Sequence, residues 1–233
     1  MRKILKLSLV ALPLLGVLGY VAIAGPHHAM TPQLFGAHKL APNLFTDAPQ
    51  REKEFLLRIK AARSETRAFF GPLQTEPTYI FCTTERCQKT FGIGARGLNL
   101  GKHYVLIAPS GISQMIVTHE TVHNELHRGQ TLKALWDPDF PQWFDEGLAS
   151  LLSRDTRLTH DVAPEWIYAA HTPSDWSSMT TAENWRANYG AAWSVVSRFE
   201  KQHGRDGLRK LVARVESGED FLTLWQESYS PAD

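Results

Sequence analysis

Residues Thr118-His119-Glu120-Thr121-Val122-His123 place two histidines four positions apart, with a glutamate beside the first, inside a run from Ser110 to Arg128 that reads as helix. In a helix, positions i and i+4 stand one turn apart on one face, so His119 and His123 can reach the same metal ion. Two ligands do not hold a catalytic zinc. A third must come from another element, leaving a fourth position open to water with Glu120 aimed at it. The candidate supplier is Glu146, in Trp143-Phe144-Asp145-Glu146-Gly147-Leu148-Ala149. The motif therefore demands a fold in which two helices face each other across a metal.

Chance would produce H-E-x-x-H in a chain of this length at roughly the few-per-cent level. The surroundings argue against chance. Thr118, Thr121, Val122 and Asn124 are uncharged, no proline interrupts the run, and Ile112, Met115, Ile116 and Val117 supply the apolar side of a buried helix. A second predicted helix carrying an acidic residue comes next, Gln142 to Ser153, with small Gly147 and Ala149 allowing close approach to a neighbour. Asp137-Pro138-Asp139 offers helix-start chemistry before it.

H-E-x-x-H followed by W-F-x-E-G-x-A resembles the gluzincin metallopeptidases, zincins whose third ligand is a Glu on the helix after the active-site helix. The resemblance covers His103 to Phe199. It implies an α+β, zincin-like fold: an N-terminal α/β lobe with a small sheet ending in the active-site helix, then a helical C-terminal lobe. It implies one Zn2+ per chain held by His119, His123 and Glu146, Glu120 as general base, and a peptide or protein substrate. Two positions depart from the pattern: Asp145 stands where aminopeptidase-type members have Asn, and Glu125 where a hydrophobic residue is usual. Tyr189 resembles a Tyr that stabilises the oxyanion in related members; the alternative is a packed Tyr whose hydroxyl caps a backbone group. His160 and His171 are weaker candidates for that donor. Asp145 is either a partner of a ligand imidazole or a solvated or substrate-facing carboxylate.

The chain's 233 residues, 43% hydrophobic and 21% charged, suit one globular domain with appendages. A net charge of +1 gives no footprint for nucleic acid, and none is expected as a partner. Arg2, Lys3 and Lys6 precede an uncharged apolar run from Leu7 to Gly25, the pattern of a membrane-targeting segment with its positive end inside. Ala22-Ile23-Ala24 fits a signal-peptide cleavage site, while an apolar run of roughly 18 or more residues also serves as a single-pass anchor. On either reading the domain is extracytoplasmic, anchored in the membrane or released into the periplasm or exterior. Residues 1–25 are thus targeting segment, 26–50 a Pro/His/Ala-rich linker, and 51–233 the metallopeptidase domain.

Arg51 to Phe70 carries apolar residues at helical spacing and stops at Gly71-Pro72, a helix expected to cover one face of a sheet. Thr78 to Cys82 is strand-like. Cys82 and Cys87, the only cysteines, are expected to form a disulfide closing a small loop. Gly92-Ile93-Gly94-Ala95-Arg96-Gly97 matches the dinucleotide fingerprint G-x-G-x-x-G, but Leu98-Asn99-Leu100-Gly101 leads into a strand where the fingerprint needs a helix. Gly94 to Ala108 is therefore expected to be a strand and hairpin beside the active-site helix, a candidate rail for an extended substrate. His127 is expected as a cap or surface residue. Tyr189 to Gln202 and Leu208 to Val215 read as helices with Gly204 between them. Two rival functions are a membrane-tethered zinc-binding adaptor with the same fold and little turnover, and a structural envelope protein with an accidental motif.

Overall fold

The computed structural model describes residues 24–158, 165–229 and no others. Residues 1–23 of the expected targeting segment, and the candidate His160, lie outside the described residues. Among the described residues no helix is long and apolar enough to cross a membrane.

The fold is mixed α+β. Five short strands, β1 (His38–Ala41), β2 (Leu44–Thr46), β3 (Thr78–Phe81), β4 (Gly97–Leu100) and β5 (Tyr104–Ile107), form one sheet in the order β1-β2-β3-β5-β4. The central pairings β2–β3 and β3–β5 are parallel, and both edge strands pair antiparallel. Helix α1 (Glu52–Phe70) makes the crossover from β2 to β3, and the Cys82–Cys87 disulfide ties the first turn of α2 (Glu85–Thr90) to the end of β3. Such a closure stabilises by about 2–3 kcal/mol through loop entropy.

Strand alternation sorts the apolar residues onto two faces. Tyr79, Phe81, Val105 and Ile107 face α1 and the next long helix, packing on Phe55, Ile59, Ala62, Ile116 and Val117. Phe55 and Phe81 stack with ring centroids 4.3 Å apart. Ile80, Leu106 and Phe45 face the other way, onto Ala29, Ala37, Phe91 and Ile93.

That second face corrects the expected linker. Residues 26–50 supply two strands of the sheet and the Ala29 and Ala37 contacts that cover its far side. Strands of four and three residues are too short for alternation to emerge from a Pro-rich background, and pairing with β3 stabilises what local sequence does not.

Beyond the sheet come α3 (Gln114–Leu126), α4 (Gln142–Ser153), α5 (Pro173–Met179), α6 (Trp185–Glu216) and α7 (Phe221–Tyr229). Gly204, at φ 74°, breaks α6 where a stop was expected. Phe144, Leu148, Val196, Phe199, Leu211 and Trp225 lie in the aromatic core that joins α4, α6 and α7.

Candidate metal centre

Helix α3 begins where Ser113 caps it by accepting a bond from the Ile116 N–H. Its buried surface is unusually polar. Thr118, Thr121, Asn124 and Glu125 are each at most 1% exposed, and each is tied to a different neighbour. Thr118 donates to Glu65, Thr121 to the Val117 carbonyl, and Asn124 to the Gly101 carbonyl. Glu125 accepts from the Gln74 and Thr75 N–H groups and from Arg128. Hydrogen-bonded buried polar groups fix rotation and register more sharply than apolar contact does, although Asn124 Oδ1 itself has no partner among the described residues. They hold the motif in one orientation.

Helix α4 spans the residues expected, but its start is capped differently. Neither Asp137 nor Asp139 caps it; the Gln142 and Trp143 N–H groups donate to the His171 and Ala170 carbonyls of a later segment. Gly147 sets the depth of packing on α6, because a Cβ there would lie 2.5 Å from the Ala192 carbonyl oxygen. The next residue back, Glu146, faces α3.

Three atoms converge between these helices. His119 Nε2 lies 2.9 Å from His123 Nε2 and 3.2 Å from Glu146 Oε2, and His123 Nε2 lies 3.4 Å from the same oxygen. The His123 Nδ1–H donates to Asp145 Oδ1 at 2.7 Å, which turns its Nε2 toward the other two. These three donor atoms could hold a cation. Tetrahedral zinc, with bonds of about 2.0–2.2 Å, separates its ligands by roughly 3.3–3.5 Å, so the donor set fits such an ion with little adjustment. Gln142 donates to the second Glu146 oxygen at 3.1 Å.

Asp145, undecided from sequence, is buried and bridges two imidazoles: His123 through Oδ1 and His127 through Oδ2, the latter at 2.7 Å. His127 terminates α3 by its backbone, as expected of a cap. Its ring, however, turns inward onto Asp145 and lies 3.3 Å from Asn99 of β4, so it is no surface residue. The signal for this was the repeated four-residue spacing His119, His123, His127, whose third member falls on the same helix face.

Electrostatics follow from the burial. Burial alone would raise both carboxylates, but the charge of His123 and hydrogen bonds from both motif histidines hold Glu146 down to about 2. His127 and His123 likewise hold Asp145 well below the usual carboxylate range. Burial opposes a proton on His123, yet Asp145 and then Glu146 raise it well above an ordinary histidine. Glu120 goes the other way, raised chiefly by burial against the pull of His119 and His123. Its carboxylate makes no hydrogen bond among the described residues. Gly97 on β4 leaves it room, since a Cβ there would stand 2.4 Å from Glu120 Oε1.

Tyr189, near the start of α6, stands beside the centre with its ring 6.1 Å from that of His119 and 5.1 Å from Trp176. Its hydroxyl caps no backbone group among the described residues. Burial, followed by the charge of Glu146, raises it well above an ordinary tyrosine, so it keeps its proton. His171 is exposed and contributes a backbone carbonyl to α4; its ring is not brought to the centre. Comparison with protein-family models, with curated proteins and with solved structures finds no match to this chain.

Proposed function

We propose that this chain is an extracytoplasmic zinc metallopeptidase of gluzincin type, with the α+β fold arranged as a zincin. The observation that carries the reading is the convergence of His119, His123 and Glu146 donor atoms within 3.4 Å of one another, with an unbonded Glu120 beside them. Zinc at that point would supply Lewis acidity toward water and a substrate carbonyl. The protein's own groups do the rest. Glu120, its proton affinity raised by burial, takes a proton from the attacking water and passes it to the leaving amine. Tyr189, protonated and close by, donates to the developing oxyanion, a contribution of about 3–4 kcal/mol where one such donor is removed. Asp145 holds the His123 ring and fixes its tautomer. The β4 edge, beside Glu120 through Gly97, receives the peptide in extended form.

The basic start and apolar run before Gly25 direct the domain across the membrane, as a cleaved signal or a retained anchor. The disulfide suits the oxidising side. The decisive experiment is elemental analysis of the purified protein and of Glu146→Ala, side by side. One zinc per chain in the wild type, sharply reduced in the variant, is the expected result. No metal after reconstitution with zinc sinks the proposal.

A further inference from the structure

Three segments far apart in sequence bring arginines around one indole. Arg96 precedes β4, Arg157 comes after α4, and Arg186 lies in the first turn of α6. Their guanidinium carbons stand 5.1, 5.1 and 4.9 Å from the Trp185 ring centroid. One carboxylate belongs to this group. Asp155, buried, accepts from the Arg157 backbone N–H at 3.0 Å and from its Nε at 2.8 Å and Nη2 at 2.5 Å, so both its oxygens are taken. Neither Arg96 nor Arg186 has an ion pair or a side-chain hydrogen bond among the described residues.

Position gives this charge a meaning. The Trp185 ring lies 6.2 Å from that of Tyr189, which is itself 6.1 Å from the His119 ring, so the cluster borders the metal centre. Arg96 is held by its main chain: its carbonyl accepts from the Ala108 N–H at 2.9 Å, and a Cβ on Gly111 would stand 1.9 Å from that same oxygen. It is one residue from Gly97, which packs on Glu120. A guanidinium stacked on indole keeps its planar fork of donors free along the ring edge, and little freedom remains to be lost when a carboxylate arrives.

Building on the metallopeptidase reading, we infer that Arg96, set over the Trp185 ring beside the metal centre, binds a carboxylate of the substrate. The peptides turned over then carry a free C-terminus or an acidic side chain next to the scissile bond. Arg186 adds to the field, while Arg157 and Asp155 buttress Trp185.

Calorimetric binding to the full chain carrying Glu120→Gln tests this without turnover. The probes are acetyl-trialanine against its C-terminal amide, and an acetylated, amidated tripeptide with central glutamate against its glutamine twin. In one pair the acid binds about tenfold tighter than its neutral partner, the scale of a charge-assisted bond, and that pair identifies the source of the carboxylate. Arg96→Ala abolishes the preference, and Arg96→Lys retains part of it, which separates lost charge from a lost fold. Equal or undetectable binding of acid and neutral probes, or a preference that survives Arg96→Ala, overturns the inference. Each titration is run with one equivalent of zinc and after chelation. Protein that binds no zinc yet keeps an Arg96-dependent preference removes the metallopeptidase reading and leaves the carboxylate site standing.

Discussion

The two sides of helix α4 solve opposite problems. Toward α6 and α7 it presents Phe144, Gly147 and Leu148 to a core of stacked aromatics, where Phe144 lies 4.8 Å from Phe221 and Phe199 lies 4.7 Å from Trp225. Toward α3 it presents Asp145 and Glu146, both buried, to three imidazoles. The aromatic side supplies free energy without direction: each large side chain contributes about 1.5–3 kcal/mol on burial. The polar side supplies direction at a desolvation cost, offset only because every carboxylate oxygen there has a partner. One side stabilises the helix; the other aims it.

If that division holds, variants in the polar centre that α4 faces and in the aromatic core behind it should separate stability from activity. The largest effect belongs to Glu120→Gln. Peptide hydrolysis should fall by about 10²–10⁴, the range for loss of a general base, with zinc content and melting temperature unchanged or slightly raised. A variant that hydrolyses peptides at the wild-type rate would place the base elsewhere, or make any turnover incidental to an adaptor. Next comes Phe144→Ala, one residue from the carboxylates but on the other side. Denaturant melts should register a loss of about 3–5 kcal/mol, while the folded fraction keeps its zinc stoichiometry. If instead zinc is lost from protein that remains folded, the aromatic side also aims the helix and the two roles merge.

The sequence made one side of this comparison more legible than the other. Spacing alone placed His119 and His123 on a helix face, and α4 runs over the expected residues because an amphipathic pattern and small residues mark it locally. Asp145 could not be assigned, because whether it joins Glu146 in facing α3 depends on how α4 is rotated, and Gly147 against Ala192 sets that only in the folded protein. Gly97 illustrates the same limit. It completes a dinucleotide-like string, yet its lack of a side chain serves the space occupied by Glu120. The linker was misread for a related reason: β2 exists by pairing with β3 about 35 positions away, a partner that no local pattern encodes, and β1 joins the sheet only through β2.

The smallest predicted effect concerns protons, and it tests whether the polar side is built for a cation. In metal-free protein the proton affinity of His123 is raised above the ordinary histidine value of 6.5. Its stabilisation is therefore fully present below about pH 6.5 and is lost as pH rises through the raised value. Glu146, held at about 2 against an ordinary 4.5, stabilises above that ordinary value and loses its contribution as pH falls toward about 2. The metal-free chain should thus melt highest between the two ordinary values and lose a few degrees on the alkaline side, at about 2–4 °C per kcal/mol for a chain of this size. On the proposed reading, bound zinc would replace the proton on His123, so the alkaline loss should vanish in loaded protein, while the acid limb steepens as protons compete for the ligands. Melting curves from about pH 3 to about pH 9, with zinc and with chelator, read both limbs. Chelated protein whose melting temperature stays level or climbs above pH 6.5 would mean that Asp145 and Glu146 do not hold a proton on His123, and that the centre lacks the converging negative charge a cation would replace.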